Sequence, residues 1–143
     1  MLIGISPLLS PELLNALYCM GHGDEIVLAD VHFPGDSTNP NCIRADGLKI
    51  ADLLSGIAPL FILDQYVENP LTMMAPVDRD QLDPSVESSF LKAIRTTWPE
   101  TKPPERVERF DFYDRSQTAF AVVMTGDTAQ YGNIILKKGV TPC

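Results

Sequence analysis

The chain has 143 residues, 45% hydrophobic and 21% charged, the length and balance of one soluble globular domain and not of a disordered segment. Eleven Lys and Arg against nineteen Asp and Glu leave a net charge of −8, so the basic footprint that a phosphate backbone requires is missing and no nucleic-acid partner is expected. Apolar runs reach only about the length of Ile57 to Leu63, far short of the roughly 18 residues of a membrane span, so no membrane partner is expected either.

In chain order, Ser10-Pro11-Glu12 reads as an N-cap, a first-turn proline and an acid suited to the helix dipole. Leu13, Leu14, Leu17 and Met20 then mark one helical face, and Gly21 stops it. Glu25 to Asp30 is a short apolar run rich in branched residues, predicted as a strand buried on both faces. His32 to Asn41 reads as a loop. Leu48, Ala51, Asp52, Leu53 and Leu54 predict a second helix, ended by Gly56 and Pro59. Leu71 to Val77 predicts a second buried strand. Asp83-Pro84 caps a third helix, with Val86, Phe90, Leu91 and Ile94 inward and Pro99 closing it.

Lys102-Pro103-Pro104 resembles a linker but is too short to divide domains. Val107 to Phe110 is predicted as a short strand, Tyr113 to Thr118 as a short helix and Phe120 to Thr125 as a strand. Gly126-Asp127 makes a turn, and Tyr131 to Lys137 is predicted as the last strand. This interleaving predicts a single α/β domain over residues 1–143: three layers, α/β/α, around a mostly parallel or mixed sheet. The first basic residue is Arg44, unlike the charged start of a signal peptide. Cys19, Cys42 and Cys143 form no close pair, as expected of free thiols in a reducing, cytoplasmic setting.

The densest polar cluster is Gly21-His22-Gly23-Asp24-Glu25. Flanking glycines let the backbone of His22 approach a ligand closely, and an ordinary imidazole exchanges protons near neutrality; an exposed loop histidine is the plain alternative. Asp30 ends the first strand, where open α/β sheets bind ligands, and could equally cap the following turn. His22, Asp24, Asp30 and His32 make only a weak metal set, since no HExxH or CxxC spacing is present. No metal is expected. Arg106, Arg109 and Arg115 surround Phe110, Phe112 and Tyr113, a mixture of fixed donors and flat faces that suits a polyhydroxylated ring or forms a solvated edge. Tyr131-Gly132-Asn133 supplies short-range donors and acceptors beside a glycine. There is no GxGxxG after a strand, no GxxxxGK[ST] and no GxSxG.

ISPLLSPELL, MGHGDEIVLADVHFP, IRADGL, FYDRSQTAFAVVMTG and YGNIILKKGVTP together resemble the L-fucose mutarotase and D-ribose pyranase family over nearly the whole chain. IRADGL, RFDFYDR and YGNIILKKGVTP are similar to its fucose branch, and Arg109 stands where the ribose branch tends to carry a histidine. The resemblance implies His22 as catalytic proton donor. It implies that Asp30, Arg109 and the Tyr131-Gly132-Asn133 segment contact the sugar, that no cofactor is used, and that the partners are a monosaccharide and further copies in a ring-shaped homo-oligomer, often a decamer. Tyr113 is the candidate for the apolar wall of the pocket. A ribose pyranase and a non-catalytic sugar-binding module are the competing readings.

One geometric difficulty follows from the spacing. If Glu25 to Asp30 is a straight strand, His22 and Asp30 stand roughly 20 Å apart at about 3.3 Å per residue. Either the segment bends, or one pocket takes His22 from one subunit and Asp30 from its neighbour; the second is the expectation.

Overall fold

The computed structural model describes residues 1–143. Helix starts follow local capping chemistry. Ser10 Oγ accepts the Leu13 N–H at 3.2 Å and opens α1 (Pro11–Cys19). Asp83 Oδ1 accepts the Ser85 N–H at 2.9 Å, and Pro84 stands in the first turn of the helix it opens (Pro84–Arg95). Between them the segment expected as a loop, His32 to Asn41, folds one short turn, α2 (Gly35–Thr38), and just beyond it lies a strand the periodicity does not reveal (Cys42–Ala45). The helix predicted around Leu48 to Leu54 is α3 (Ile50–Ile57), which tightens into a 3-10 turn over Ala58–Leu60. Gly56 lies inside α3 and does not end it.

Numbered in chain order, the strands are β1 (Glu25–Ala29), β2 (Cys42–Ala45), β3 (Leu71–Met74), β4 (Glu105–Val107), β5 (Ala121–Thr125) and β6 (Ile134–Lys137). The Pro84–Arg95 helix is α4, and α5 spans Arg109–Thr118. The sheet order is β2-β5-β1-β6-β3-β4. β1 runs parallel to β5, β5 to β2, and β3 to β4; β6 lies antiparallel between β1 and β3. The sheet is therefore mostly parallel with one reversed strand, as the interleaved pattern predicts.

Strand residues alternate between two cores. Ile26, Leu28, Ala121, Val123, Leu71 and Met73 face α1, α3 and α4. Val27, Ala29, Val122, Met124, Met74 and Ile135 face the other layer, with Phe33 and with Phe112 of α5. β1 is the central spacer: Ile26 to Ala29 are fully buried, and Ile26 to Leu28 are paired on both sides.

Because β6 is reversed, its entry turn emerges at the same edge as the carboxyl ends of β1, β3, β4 and β5. That edge collects the residues just after each parallel strand and just before β6. The expected strand over Val107 to Phe110 ends at Val107, and α5 takes over at Arg109. Glu108 starts that helix early by accepting the Phe110 N–H at 2.8 Å. The expected strand from Tyr131 begins at Ile134, because Tyr131 takes a positive φ of 58°, which breaks extended geometry. The strand expected to reach Val77 stops at Met74.

The turn after β5 is held by a close backbone crossing. A Cβ on Gly126 would meet Gly47 Cα at 2.6 Å, and the Gly126 N–H donates to Leu48 O at 2.8 Å. Backbone cannot yield as a side chain can. Gly126→Ala is expected to cost about 1–3 kcal/mol, read as a lower urea midpoint with an unchanged denaturant slope.

Candidate functional site

At the collecting edge lies a cavity of about 520 Å³, within the roughly 300–1,000 Å³ range of small-molecule sites. Its lining includes Asp30 after β1, Met74 at the end of β3, Arg109 and Tyr113 on α5, and Tyr131 and Asn133 before β6. Five of the expected site residues thus meet in one place. Gly132 holds the turn between two of them: a Cβ there would stand 2.8 Å from Ala129 O, to which its own N–H donates at 3.1 Å.

Asp30 is buried, and no Arg or Lys pairs with it. Its Oδ1 accepts the His32 N–H at 2.9 Å, and its own N–H donates to Asn133 Oδ1 at 2.8 Å. Burial raises its carboxyl above the usual range, and the backbone N–H groups of His32, Gly132 and Phe33 with the His32 ring offset only part of this. With Asn133 Oδ1 turned to Asp30, its Nδ2 hydrogens take no partner in the chain. Every buried side-chain nitrogen or oxygen does have one, so this amide donates toward open space.

Arg109 and Tyr113 stand four residues apart, one turn of α5, and so share a helix face. The Arg109 guanidinium lies 4.7 Å over the Phe110 ring and forms no ion pair. Tyr113 packs against Phe33, ring centroids 5.5 Å apart, and the two form an aromatic wall beside Met74. The other two arginines of the expected cluster are structural. Arg106 donates to Met74 O and pairs with Glu87. Arg115 points to the opposite edge, against Glu25, Glu105 and Thr72.

His22 is not in this cavity. It sits beyond the other end of β1, in a tight turn closed by Gly21 N–H donating to Asp24 Oδ2 at 2.7 Å, with Gly23 at a φ of 84°. Its Nε2 donates to Asp64 Oδ1 at 3.1 Å, and the Tyr66 ring leans on it at 5.3 Å. A carboxylate only accepts, so this contact keeps the hydrogen on Nε2 and turns Nδ1 outward. The ring remains 47% exposed, whereas Asp64 is buried. Burial opposes the charge on Asp64, yet the Tyr66 N–H, the His22 ring and the Lys137 charge together hold its carboxyl below the ordinary range. The weak metal set is split between the two ends of β1, and no group of three or more His, Cys, Asp or Glu is placed to hold a metal ion.

Sequence reasoning missed Asp64 and Tyr66 as supports of His22, and Phe33, Met74, Thr128 and Gln130 as cavity lining. Met74 reads as core and is both, buried in the second core and present in the cavity wall. Asp64 stands 42 residues from His22, and no local pattern links them.

The raised carboxyl of Asp30 sets a sign for stability. An acid whose folded value lies above its unfolded value destabilises the fold when ionised. The penalty is complete above the folded value and vanishes below the unfolded one. Asp30→Asn is therefore expected to raise the urea midpoint at neutral pH and to lose that advantage in acid, measured by denaturation at both.

Comparison with known proteins fits this geometry. A protein of Actinobacillus pleuropneumoniae serotype 5b (strain L20) named L-fucose mutarotase is 61% identical over 142 residues, 99% of each chain. The crystal structure of the fucose mutarotase from Streptococcus pneumoniae in complex with L-fucose matches with a TM-score of 0.92 at 41% identity, covering 99% of this chain and 100% of that one. Bacillus subtilis RbsD complexed with D-ribose shares the fold at a TM-score of 0.72 and 23% identity, over 94% of this chain and 95% of that one. The profile of the RbsD / FucU transport protein family matches residues 3–141, and the chain belongs to that family.

Proposed function

We propose that this protein interconverts the α and β anomers of L-fucose by acid–base opening and reclosure of the sugar ring, as one mutarotase domain over residues 1–143. The observation that carries the reading is the cavity itself. It offers a buried, unpaired carboxylate (Asp30), an unpaired guanidinium (Arg109), an amide donor (Asn133) and an aromatic wall, the groups a neutral polyhydroxylated ring requires. The similarity to relatives named L-fucose mutarotase supplies the sugar.

Opening a hemiacetal shifts protons and bonding pairs with no net oxidation or reduction, so the reaction requires no redox cofactor. Asp30 takes the proton of the anomeric hydroxyl as the bond from C1 to the ring oxygen breaks, and His22 gives its Nδ1 proton to that oxygen. The imidazole keeps its Nε2 hydrogen on Asp64 throughout, and the buried carboxylate stabilises the charged ring before transfer. Rotation about the bond to C1 turns the other carbonyl face toward the ring hydroxyl, and reclosure reverses both transfers. Arg109, Tyr113, Gly132 and Asn133 hold the open chain near its closing geometry, and Tyr131 binds the sugar in both its closed and open forms.

At about 3.3 Å per residue, β1 keeps His22 and Asp30 of one chain roughly 20 Å apart, farther than one monosaccharide reaches. The working pocket therefore takes His22 from a neighbouring copy. Both ends of the strand are suited to such a contact: Tyr66, Val67 and Val140 are exposed apolar residues around the His22 turn, and Val31 and Phe110 are exposed beside the cavity. A ring of copies, the decamer implied by the family resemblance, gives every cavity a neighbour. The free thiols of Cys19, Cys42 and Cys143 suit a cytoplasmic enzyme. No helix is long and apolar enough to cross a membrane.

Saturation-transfer NMR of L-fucose anomers should show faster exchange with the protein than without it, and His22→Ala should lose roughly 10²–10⁴-fold of that rate. Unaccelerated exchange by the wild type rejects the reading. Co-assembly tests the shared pocket. His22→Ala and Asp30→Asn chains are each expected to be inactive, and mixed one to one they should regain about a quarter of wild-type activity through pockets that draw one intact residue from each. No recovery in mixed assemblies rejects the neighbour's contribution.

A further inference from the structure

The connection from β3 to α4, residues 75–83, reaches the cavity through a side chain that is not its own. The Tyr131 hydroxyl donates to Asp80 Oδ2 at 2.5 Å and accepts the Val77 N–H at 3.4 Å. Asp80 is itself fixed in a turn by donating its N–H to Val77 O at 2.9 Å. A phenol has one hydrogen and two lone pairs. The hydrogen and one lone pair are taken by this connection, so one lone pair and no hydrogen remain for the cavity.

Tyr131 is also the only non-glycine residue with a positive φ, 58°, a conformation that persists where the surroundings impose it. Gly132 and the Asp80 contact secure the two sides of that turn. Asp80 and Arg109 are the charged groups that face the phenol. The Asp80 contact pushes the phenol above the ordinary tyrosine range, assisted by burial, while the Val77 N–H and Arg109 oppose it.

We propose that Asp80 is a positioning residue for sugar recognition: it occupies the only phenolic hydrogen of Tyr131, making that tyrosine an obligate hydrogen-bond acceptor toward the cavity. This rests on the reading of the cavity as a monosaccharide site and deepens it in two ways. At Tyr131 the substrate must present a hydroxyl hydrogen, so a sugar with an ether or no oxygen at that point is discriminated against. Tyr131 also has no proton to give the ring oxygen, which leaves His22 as the acid.

The test joins a titration without sugar to a double-mutant cycle with it. The protein carrying tyrosine labelled with ¹³C at Cζ is titrated by NMR, and the Tyr131 signal is identified by its loss in Tyr131→Phe. Asp80→Ala should lower the pH at which that signal titrates. In L-fucose anomer exchange, Asp80→Ala should raise KM roughly tenfold, the weight of one such hydrogen bond, and leave kcat near wild type. On the Tyr131→Phe background, Asp80→Ala should have no further effect.

A Tyr131 titration that ignores Asp80 overturns the proposal. So does a fall in kcat at unchanged KM, or an equal Asp80→Ala effect with and without the phenol. If the titration responds to Asp80 but wild-type protein accelerates no fucose exchange, the functional reading fails and the recognition role with it, while the pair stands; the two failures are thus distinguishable.

Discussion

A five-residue strand buried on both faces and paired along both edges sets the terms for the rest of the molecule. Ile26, Val27, Leu28 and Ala29 lose all contact with water, and the strand is hydrogen-bonded along both edges, to β5 on one side and β6 on the other. Deforming it would break backbone hydrogen bonds in a site with no water to replace them. His22 and Asp30, which belong to one chemical operation in the proposed function, lie beyond opposite ends of this buried, paired strand. The separation is a product of core packing, and it is what the proposed function answers with a pocket shared between copies.

The reversal of β6 is what concentrates recognition at one edge. A wholly parallel sheet would place the entry of its last strand at the opposite edge, with His22. Running β6 backwards between β1 and β3 brings Tyr131, Gly132 and Asn133 level with the end of β1, and Asn133 then reaches the Asp30 backbone at 2.8 Å. The same reversal carries the chain after β6 to the other end, where Lys138 O accepts the Gly23 N–H and Lys137 O accepts the Asp64 N–H. One strand therefore braces both ends.

Much of this was legible from residues alone. Capping at Ser10 and Asp83, the branched run of β1 and the interleaved order lead to the right layers. Asp30, Arg109, Tyr113, Tyr131 and Asn133 were expected at a site and share one cavity. Element ends near the site were not legible, for local reasons. Glu108 caps a helix that the aromatic run disguises as a strand, and Tyr131 adopts a left-handed backbone that propensity assigns to glycine or asparagine. β2 is too short, with Asn and Pro before it, to stand out from a loop. Arg106 and Arg115 resemble Arg109 in sequence, and only the carboxylates brought near them in space reveal them as structural. The partners Asp64 and Asp80 act across long stretches of chain, beyond the reach of any periodicity.

The two-ended arrangement has a consequence for how such a protein diversifies. The imidazole, its carboxylate support and the glycine turn occupy one end of the molecule, and the groups that read the ligand's hydroxyls occupy the other. Substitutions at α5 or before β6 leave the His22–Asp64 pair of the same chain untouched, whereas those at Asn133 also reach Asp30. In the proposed function the imidazole can thereby drift independently of the choice of sugar, while the carboxylate Asp30 stays tied to the residues that surround it.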